Sequence, residues 1–203
     1  MQPFLVGIAG GTGVGKTTLA RTLCEREPER YAVMRVDDYY HERSDVPAHD
    51  GIINWERPEA IDFDRLYEAL RQLKTGQTIT VDTRMWVYGE GQQTISQPIS
   101  FDVAPKPVVI LEGFLALHDP RIRELFDMSI YLDMPIEASL ERRRQDQSKY
   151  SDDAYFRDIL IPAHQEFVVP TKAYADVVIE VDGKTAEEVY GEARAIIEEN
   201  LTT

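Results

Sequence analysis

Cysteine and basic side chains are scarce in this sequence. The single cysteine, Cys24, excludes an internal disulfide and a zinc site built from several cysteines. The 22 Lys and Arg residues stand against 36 Asp and Glu residues, which gives a net charge of −14. A chain this acidic repels nucleic acids and anionic membranes, so an anionic ligand needs a local binding site.

Long apolar runs are also missing. No stretch approaches the roughly 20 apolar residues that a membrane-spanning helix needs. The apolar run at residues 4–9 is short and has no basic leader before it. The sequence therefore predicts a cytoplasmic protein that has neither a nucleic acid nor a membrane as its partner.

The apolar residues that are present fall into short continuous runs separated by segments with helical spacing. The runs are typical of buried parallel strands, which need helical crossover connections, and they lie at residues 4–9, 31–36, 108–111, 129–132 and 177–181. Helical spacing predicts helices at residues 63–73, 136–147 and 185–200. We predict one domain over residues 1–203, an α/β fold with a doubly wound, mainly parallel five-stranded sheet.

Local signals refine this prediction. Asp62 stands at the N-cap position of the helix predicted at residues 63–73, and Thr185 and Glu188 have the spacing of a capping box. Residues 76–101 break the alternation of strands and helices, and their threonines, aromatics and glycines indicate a hairpin-like insertion. We expect this insertion to act as a flap.

A glycine-rich motif follows the first predicted strand. It matches G-x-x-x-x-G-K-[ST] at every fixed position, and its residues, with the next one, are Gly10, Gly11, Thr12, Gly13, Val14, Gly15, Lys16, Thr17 and Thr18. The glycines let backbone amides surround the phosphates of ATP, the phosphoryl donor, while Lys16 neutralises the β and γ phosphates. The Thr17 hydroxyl is expected to bind Mg²⁺. The structural alternative is a glycine-rich turn without a ligand.

The motif alone does not name a reaction. The Asn-Lys-x-Asp motif of GTPases is absent, because neither Asn54 nor Asn200 begins one, and the Leu-Ser-Gly-Gly-Gln signature of transporter ATPases is absent too. A small-molecule kinase and a nucleotide-binding regulator both remain.

Acidic residues follow two other predicted strands. Asp37 and Asp38 come after the second strand, where a carboxylate can take the proton of an acceptor hydroxyl, although paired acids also cap helices. Glu112 follows the run at residues 107–111 and is predicted to converge with Thr17 on Mg²⁺. The alternative for Glu112 is a glutamate that only bounds a turn.

Several blocks together resemble the uridine kinase (uridine-cytidine kinase) family, in the order of that family and from about residue 5 to residue 182. They are the phosphate loop, Asp37-Asp38-Tyr39-Tyr40, Asn54-Trp55-Glu56-Arg57-Pro58-Glu59-Ala60-Ile61-Asp62, Leu111-Glu112-Gly113-Phe114-Leu115-Ala116-Leu117, Arg142-Arg143-Arg144 and Pro170-Thr171-Lys172-Ala173-Tyr174-Ala175-Asp176. The resemblance implies a P-loop NTPase fold of the nucleoside kinase type, with a small flap and a short lid at about residues 142–162.

The resemblance also implies a Mg-ATP-dependent nucleoside kinase that transfers the γ-phosphoryl group to a ribose 5′-hydroxyl. Asp37 aligns with the catalytic base and acts with Lys16, while Tyr40 lies in the substrate-binding block. Glu56 stands where the family has an Asp that binds the ribose 2′ and 3′ hydroxyls, the alternative being a surface acid beside Arg57. Relatives also suggest a homo-oligomer.

Arg143 and Arg144 are expected to bind the ATP phosphates from the lid. Consecutive helical residues point about 100° apart, so at most one or two of the three arginines can face the phosphates. The alternative is a solvated basic face paired with Glu137 and Glu141.

The sequence departs from the family in the flap and the lid. A gapless alignment puts Thr83 where the family has Tyr, and Tyr88-Gly89-Glu90 where it has His-Ser-Arg. Arg84, Trp86 and Tyr88 are therefore candidate contacts for a different base, with flap packing as their alternative. The shorter lid also looks like that of nicotinamide riboside kinases. The alternative functions are thus a kinase of nicotinamide riboside or of another small hydroxylated metabolite, and a non-catalytic ATP-binding sensor.

Overall fold

The computed structural model describes residues 2–49, 52–88, 94–145 and 153–201. Its strands are β1 (Phe4–Gly10), β2 (Tyr31–Arg35), β3 (Ala48–His49), β4 (Ile52–Ile53), β5 (Ile79–Tyr88), β6 (Thr94–Val103), β7 (Val108–Glu112), β8 (Met128–Asp133) and β9 (Val177–Glu180). Five of these strands form a parallel sheet in the order β2-β7-β1-β8-β9. The predicted five-stranded α/β sheet is confirmed.

The strand register brings the functional ends of three strands level with one another. Ile8 on β1 and Arg35 on β2 are both paired with Glu112 on β7. The second strand is one residue shorter than predicted, because Val36 begins a 3₁₀ turn that ends at Tyr39. The loops that leave β1, β2 and β7 therefore start at one edge of the sheet, where doubly wound folds bind ligands.

Two apolar layers cover the sheet. Leu5 and Leu111 belong to the buried cluster on one face, and Val6 and Ile110 belong to the cluster on the other. Successive strand side chains point to opposite faces, so strands covered on both sides read as continuous apolar runs. This explains the continuous runs of β1, β7 and β8, which are almost wholly buried, whereas the edge strand β9 exposes Val178.

The helices are α1 (Lys16–Arg26), α2 (Phe63–Lys74), α3 (Pro120–Arg123), α4 (Ile136–Gln145), α5 (Asp153–Tyr155), α6 (Ile161–Ala163) and α7 (Ala186–Leu201). Two π-helical segments, Phe156–Leu160 and His164–Val168, alternate with α5 and α6, and 3₁₀ turns lie at Pro58–Ala60 and Val169–Tyr174. The helix predicted at residues 136–147 ends at Gln145 in the described part of the chain. No described helix is long and apolar enough to cross a membrane.

Both predicted helix caps are present. The Asp62 carboxylate accepts a hydrogen bond from the Arg65 amide at 3.0 Å, at the start of α2. Thr185 and Glu188 form a reciprocal capping box before α7, because each accepts a hydrogen bond from the other's backbone amide. These caps satisfy amides that would otherwise lack partners at the helix ends.

An antiparallel hairpin of β5 and β6 lies where the sequence predicts the flap insertion. Its base packs into the core through Val81 and Val103, which are buried. Residues 89–93, and the side chains of the candidate base contacts Trp86 and Tyr88, lie outside the described part of the structure. The role of this hairpin as a flap stays a prediction, as does a lid at residues 142–162.

The α2 cap gives a stability prediction. We expect Asp62→Ala to lower the free energy of unfolding by about 1 kcal/mol, because the Arg65 amide loses its acceptor. Urea unfolding measures this change. Asp62→Asn retains an acceptor oxygen and should stay close to the unsubstituted protein, and an equal loss in both variants would contradict the assignment.

Candidate active site

The phosphate loop connects β1 to α1 and packs tightly against α4. Gly13 has a φ of +70°, and a Cβ placed on it would lie 2.5 Å from the carbonyl oxygen of Ser139. The Ser139 hydroxyl also donates a hydrogen bond to the Thr12 carbonyl. A side chain at position 13 would therefore separate the loop from α4.

Lys16 is held against the loop that it follows. Its side chain is buried, with 9% exposure, and its Nζ donates a hydrogen bond to the Gly11 carbonyl at 2.6 Å. Lys16 is also the first residue of α1, so the amides and positive dipole end of that helix face the same loop. Thr17 and Thr18 follow it in the first turn, and both are exposed.

Glu112 ends β7 directly beside this first turn. The Thr17 hydroxyl donates a hydrogen bond to Glu112 Oε1 at 2.9 Å, so the structure brings the two residues together. Glu112 is only 4% exposed, and burial raises the pKa of its carboxyl, with a further rise from the charge of Asp37. Hard oxygen donors of this kind suit Mg²⁺, so the two side chains fit the predicted metal.

The two neighbouring aspartates after β2 have different environments. Asp38 is buried, with 5% exposure, and its carboxylate is paired with the Arg35 guanidinium, whose Nε lies 3.0 Å from Oδ2. Asp37 is exposed, and its charge acts on the carboxyl of Glu112. Asp38 therefore anchors the turn, while Asp37 is open to a ligand near Glu112.

Glu56 joins the loop before α2 to the phosphate loop and to α4. Glu56 Oε1 accepts a hydrogen bond from the Tyr155 hydroxyl at 3.0 Å and lies 3.4 Å from Arg143 Nη1. Arg143 Nη1 also donates to the Thr12 hydroxyl at 2.8 Å. The Glu56 side chain is only 14% exposed, so it is not the surface acid of the alternative interpretation.

Arg57 and Tyr40, two further residues of the quoted blocks, differ in their surroundings. Arg57 pairs with Glu59 at 3.1 Å, away from Glu56. Tyr40 packs edge-on against Trp55 with ring centroids 5.2 Å apart. Burial raises the pKa of Tyr40 well above its ordinary value, and the charges of Asp37 and Glu56 act in the same direction. Tyr40 therefore lies near both acids that are expected to act on the acceptor.

Two arginines of α4, Arg143 and Arg144, contact different parts of the molecule. Arg143 reaches Thr12 and Glu56, whereas Arg144 lies 2.9 Å from Asp153 and 3.7 Å from Glu141 on the exposed side. The contact of Arg144 with the phosphates of ATP stays a prediction. Arg84, expected to contact the base, is paired with Glu42 on the exposed face of β5.

Two residues that sequence reasoning did not assign also lie at the site. Tyr155 holds Glu56, and His164 lines a small cavity together with Thr12 and Glu56. Both belong to the helical stretch from Asp153 to Tyr174, whose π-helical segments give no recognisable sequence pattern. In the sequence, the block Pro170-Thr171-Lys172-Ala173-Tyr174 marked only the end of this stretch.

Comparisons with known proteins agree with this arrangement. The model of the Phosphoribulokinase / Uridine kinase family matches residues 5–187. The uridine kinase of Halalkalibacterium halodurans is 34% identical over 209 residues, which cover 98% of this chain and 97% of that protein. "Uridine kinase-like protein 3" of Arabidopsis thaliana is 35% identical over 188 residues, which are 88% of this chain but 39% of that protein.

A solved structure shows the same fold. The structure of a possible uridine kinase from Bacillus stearothermophilus superposes with a TM-score of 0.59 at 24% identity, covering 89% of this chain and 90% of that one. The prediction of an ATP-dependent phosphotransferase is thereby confirmed. The chain belongs to the phosphoribulokinase / uridine kinase family.

Proposed function

We propose that the protein is a Mg-ATP-dependent nucleoside kinase that transfers the γ-phosphoryl group of ATP to the 5′-hydroxyl of a ribonucleoside, with uridine as the first candidate. This proposal rests on the different environments of the neighbouring residues Asp37 and Asp38. Asp38 is buried and paired with Arg35, whereas Asp37 is exposed close to Glu112. A protein that only bound ATP would not need this second, open carboxylate beside the phosphate loop.

The transfer needs a proton acceptor and charge neutralisation. The acceptor hydroxyl oxygen forms a bond to the γ-phosphorus as the bond between that phosphorus and the β,γ-bridging oxygen of ATP breaks. The hydroxyl proton passes to Asp37, and ADP leaves with the bridging oxygen. Lys16 and the amides of the loop stabilise the phosphate charge that shifts during this step.

Thr17 and Glu112 are the residues that would hold Mg²⁺. Their hydrogen bond, with the two oxygens 2.9 Å apart, supports a shared position for both side chains beside the metal. Bound magnesium would neutralise charge on the phosphate oxygens of the donor. The Thr17 hydroxyl is exposed on the first turn of α1, so it can turn from Glu112 to a metal ion.

Glu56 would bind the acceptor, and Arg143, which lies next to it, would bind the phosphates. A carboxylate can accept hydrogen bonds from two vicinal hydroxyls, which is the chemistry that a ribose offers. Arg143 already lies within hydrogen-bond distance of Thr12 in the loop, so its charge is placed to neutralise a phosphate there. We assign Tyr40 to the wall of the acceptor site between Asp37 and Glu56.

The direct experiment measures ADP release by the purified protein with Mg-ATP, in parallel with uridine, cytidine, nicotinamide riboside or no acceptor. We expect acceptor-dependent turnover with a pyrimidine nucleoside. Turnover with nicotinamide riboside alone would preserve the mechanism and change the acceptor. ATP binding without turnover on any of these acceptors would contradict the proposed function and favour a sensor.

Asp37→Asn and Asp38→Asn form a matched pair in this assay. We expect Asp37→Asn to lower kcat by about 10²- to 10⁴-fold without loss of stability, because it removes only the base. Asp38→Asn should lower the free energy of unfolding by about 1–2 kcal/mol through the loss of its Arg35 partner, which is half-exposed. Equal kcat values in the two variants would contradict the assignment of Asp37.

The buried carboxyl of Glu112 gives a pH prediction. Because its pKa is raised in the folded protein, the folded state holds this proton more tightly than the unfolded chain does. The free energy of unfolding should therefore fall as pH rises above the ordinary glutamate pKa, until the raised pKa is passed. Glu112→Gln should remove this fall and be more stable at pH 7, yet lower turnover by about 10- to 100-fold.

Urea unfolding at a series of pH values measures this effect, and the activity assay measures the loss of turnover. Glu180→Gln is the matched control, because Glu180 ends β9 as Glu112 ends β7 but is exposed. The control should keep both the pH profile and the activity. A Glu112→Gln variant with unchanged pH dependence and full activity would contradict the assignment.

A further inference from the structure

His164 is a half-buried histidine at the active site that the proposed mechanism does not use. It is the first residue of the π-helical segment His164–Val168. Within the described part of the chain, no side chain or backbone group forms a hydrogen bond with its imidazole. Short π-helical turns are uncommon and occur often at functional sites. The ring nitrogens of His164 can therefore form hydrogen bonds with a ligand.

The imidazole packs against the phosphate loop at Gly11. A Cβ placed on Gly11 would lie 2.8 Å from Cε1 and 3.3 Å from Nδ1 of His164. The Gly11 carbonyl is the acceptor for Lys16 Nζ at 2.6 Å. His164 and Lys16 therefore both contact Gly11. His164 thus lies close to the lysine at which the loop is expected to bind the phosphates.

The same ring also faces the acceptor side. His164 lines a cavity of about 10 Å³ whose polar walls are Thr12 and Glu56 and whose apolar walls are Phe114, Leu160 and Val168. Thr12 belongs to the phosphate loop, and Glu56 is the proposed ligand of the acceptor hydroxyls. The cavity therefore lies between the loop that is expected to hold the phosphates and the proposed ligand of the acceptor.

The charge state of His164 suits a neutral hydrogen-bond donor. Burial lowers the pKa of its imidazole, the positive charge of Lys16 lowers it further, and Asp133 acts in the opposite direction. At neutral pH the imidazole then carries a proton on one nitrogen and has a lone pair on the other. Such a ring can donate one N–H to a phosphate oxygen without a change in its own protonation.

We propose that His164 donates a hydrogen bond to the γ-phosphoryl group of the nucleoside triphosphate bound in the phosphate loop. This assignment rests on the proposed function for the identity of the nucleotide. It predicts that His164 distinguishes a triphosphate from a diphosphate, because only the triphosphate carries the group that the imidazole contacts. Lys16 and the loop amides bind phosphates in both nucleotides.

The experiment compares the Kd of ADP with that of β,γ-imido-ATP, both with Mg²⁺ and without an acceptor, by titration calorimetry. We expect His164→Phe, which keeps a planar ring but has no N–H, to weaken binding of the triphosphate analogue about tenfold, as for one hydrogen bond to a charged group. Its Kd for ADP should stay unchanged. His164→Asn retains an N–H donor and should recover part of the lost affinity.

His118→Phe is the matched control. His118 is also half-buried with a pKa lowered by burial, but it packs between Phe63 and Phe167 and does not line this cavity. It should keep the binding of both nucleotides.

Two results would overturn the assignment of His164. They are an unchanged preference for the triphosphate in His164→Phe, and an equal loss for both nucleotides, which would indicate a packing role for the ring. Neither readout needs an acceptor, so a failure of uridine turnover would count against the proposed function and not against His164.

Discussion

The site depends on the burial of the Glu112 carboxylate at the end of β7. A carboxylate at 4% exposure is unfavourable in an apolar sheet, and the raised pKa of Glu112 reflects that cost. Its hydrogen bond from Thr17 and the nearby charges of Lys16 and Arg35 offset part of it. A bound cation would offset more. The fold thus keeps a destabilising group where the proposed reaction needs a metal.

The second constraint is the contact between the phosphate loop and the helical stretches that follow β8. Ser139 and Arg143 form hydrogen bonds with Thr12, and Arg143 and Tyr155 contact Glu56. One network therefore joins the phosphate loop, α4 and the segment before α2 that contains Glu56. A change in one of these parts must alter the others, because they share the same few hydrogen bonds. This arrangement links the position of Glu56, the proposed ligand of the acceptor, to the geometry of the phosphate loop.

The sequence predicted those features that depend on local pattern. The sheet, the phosphate loop and the caps at Asp62 and Thr185 follow from periodicity or from motifs with fixed spacing, and the order of the strands brought Thr17 to Glu112. The unpredicted features depend on tertiary packing. Of the two expected arginines, Arg143 contacts the loop and Arg144 does not, because α4 meets the loop at Ser139. The ring of His164 reaches Gly11 across a π-helical turn that has no sequence signature. The distinction between Asp37 and Asp38 required the position of Arg35.

The most direct measurement is a crystal structure of the protein with Mg²⁺, a non-hydrolysable ATP analogue and uridine bound together. We predict that the uridine 5′-hydroxyl lies about 3 Å from the Asp37 carboxylate and faces the γ-phosphoryl group. The magnesium ion should lie beside Thr17, with Glu112 turned towards it. A structure in which the nucleoside binds away from Asp37, or the nucleotide binds outside the loop at residues 10–17, would contradict the account.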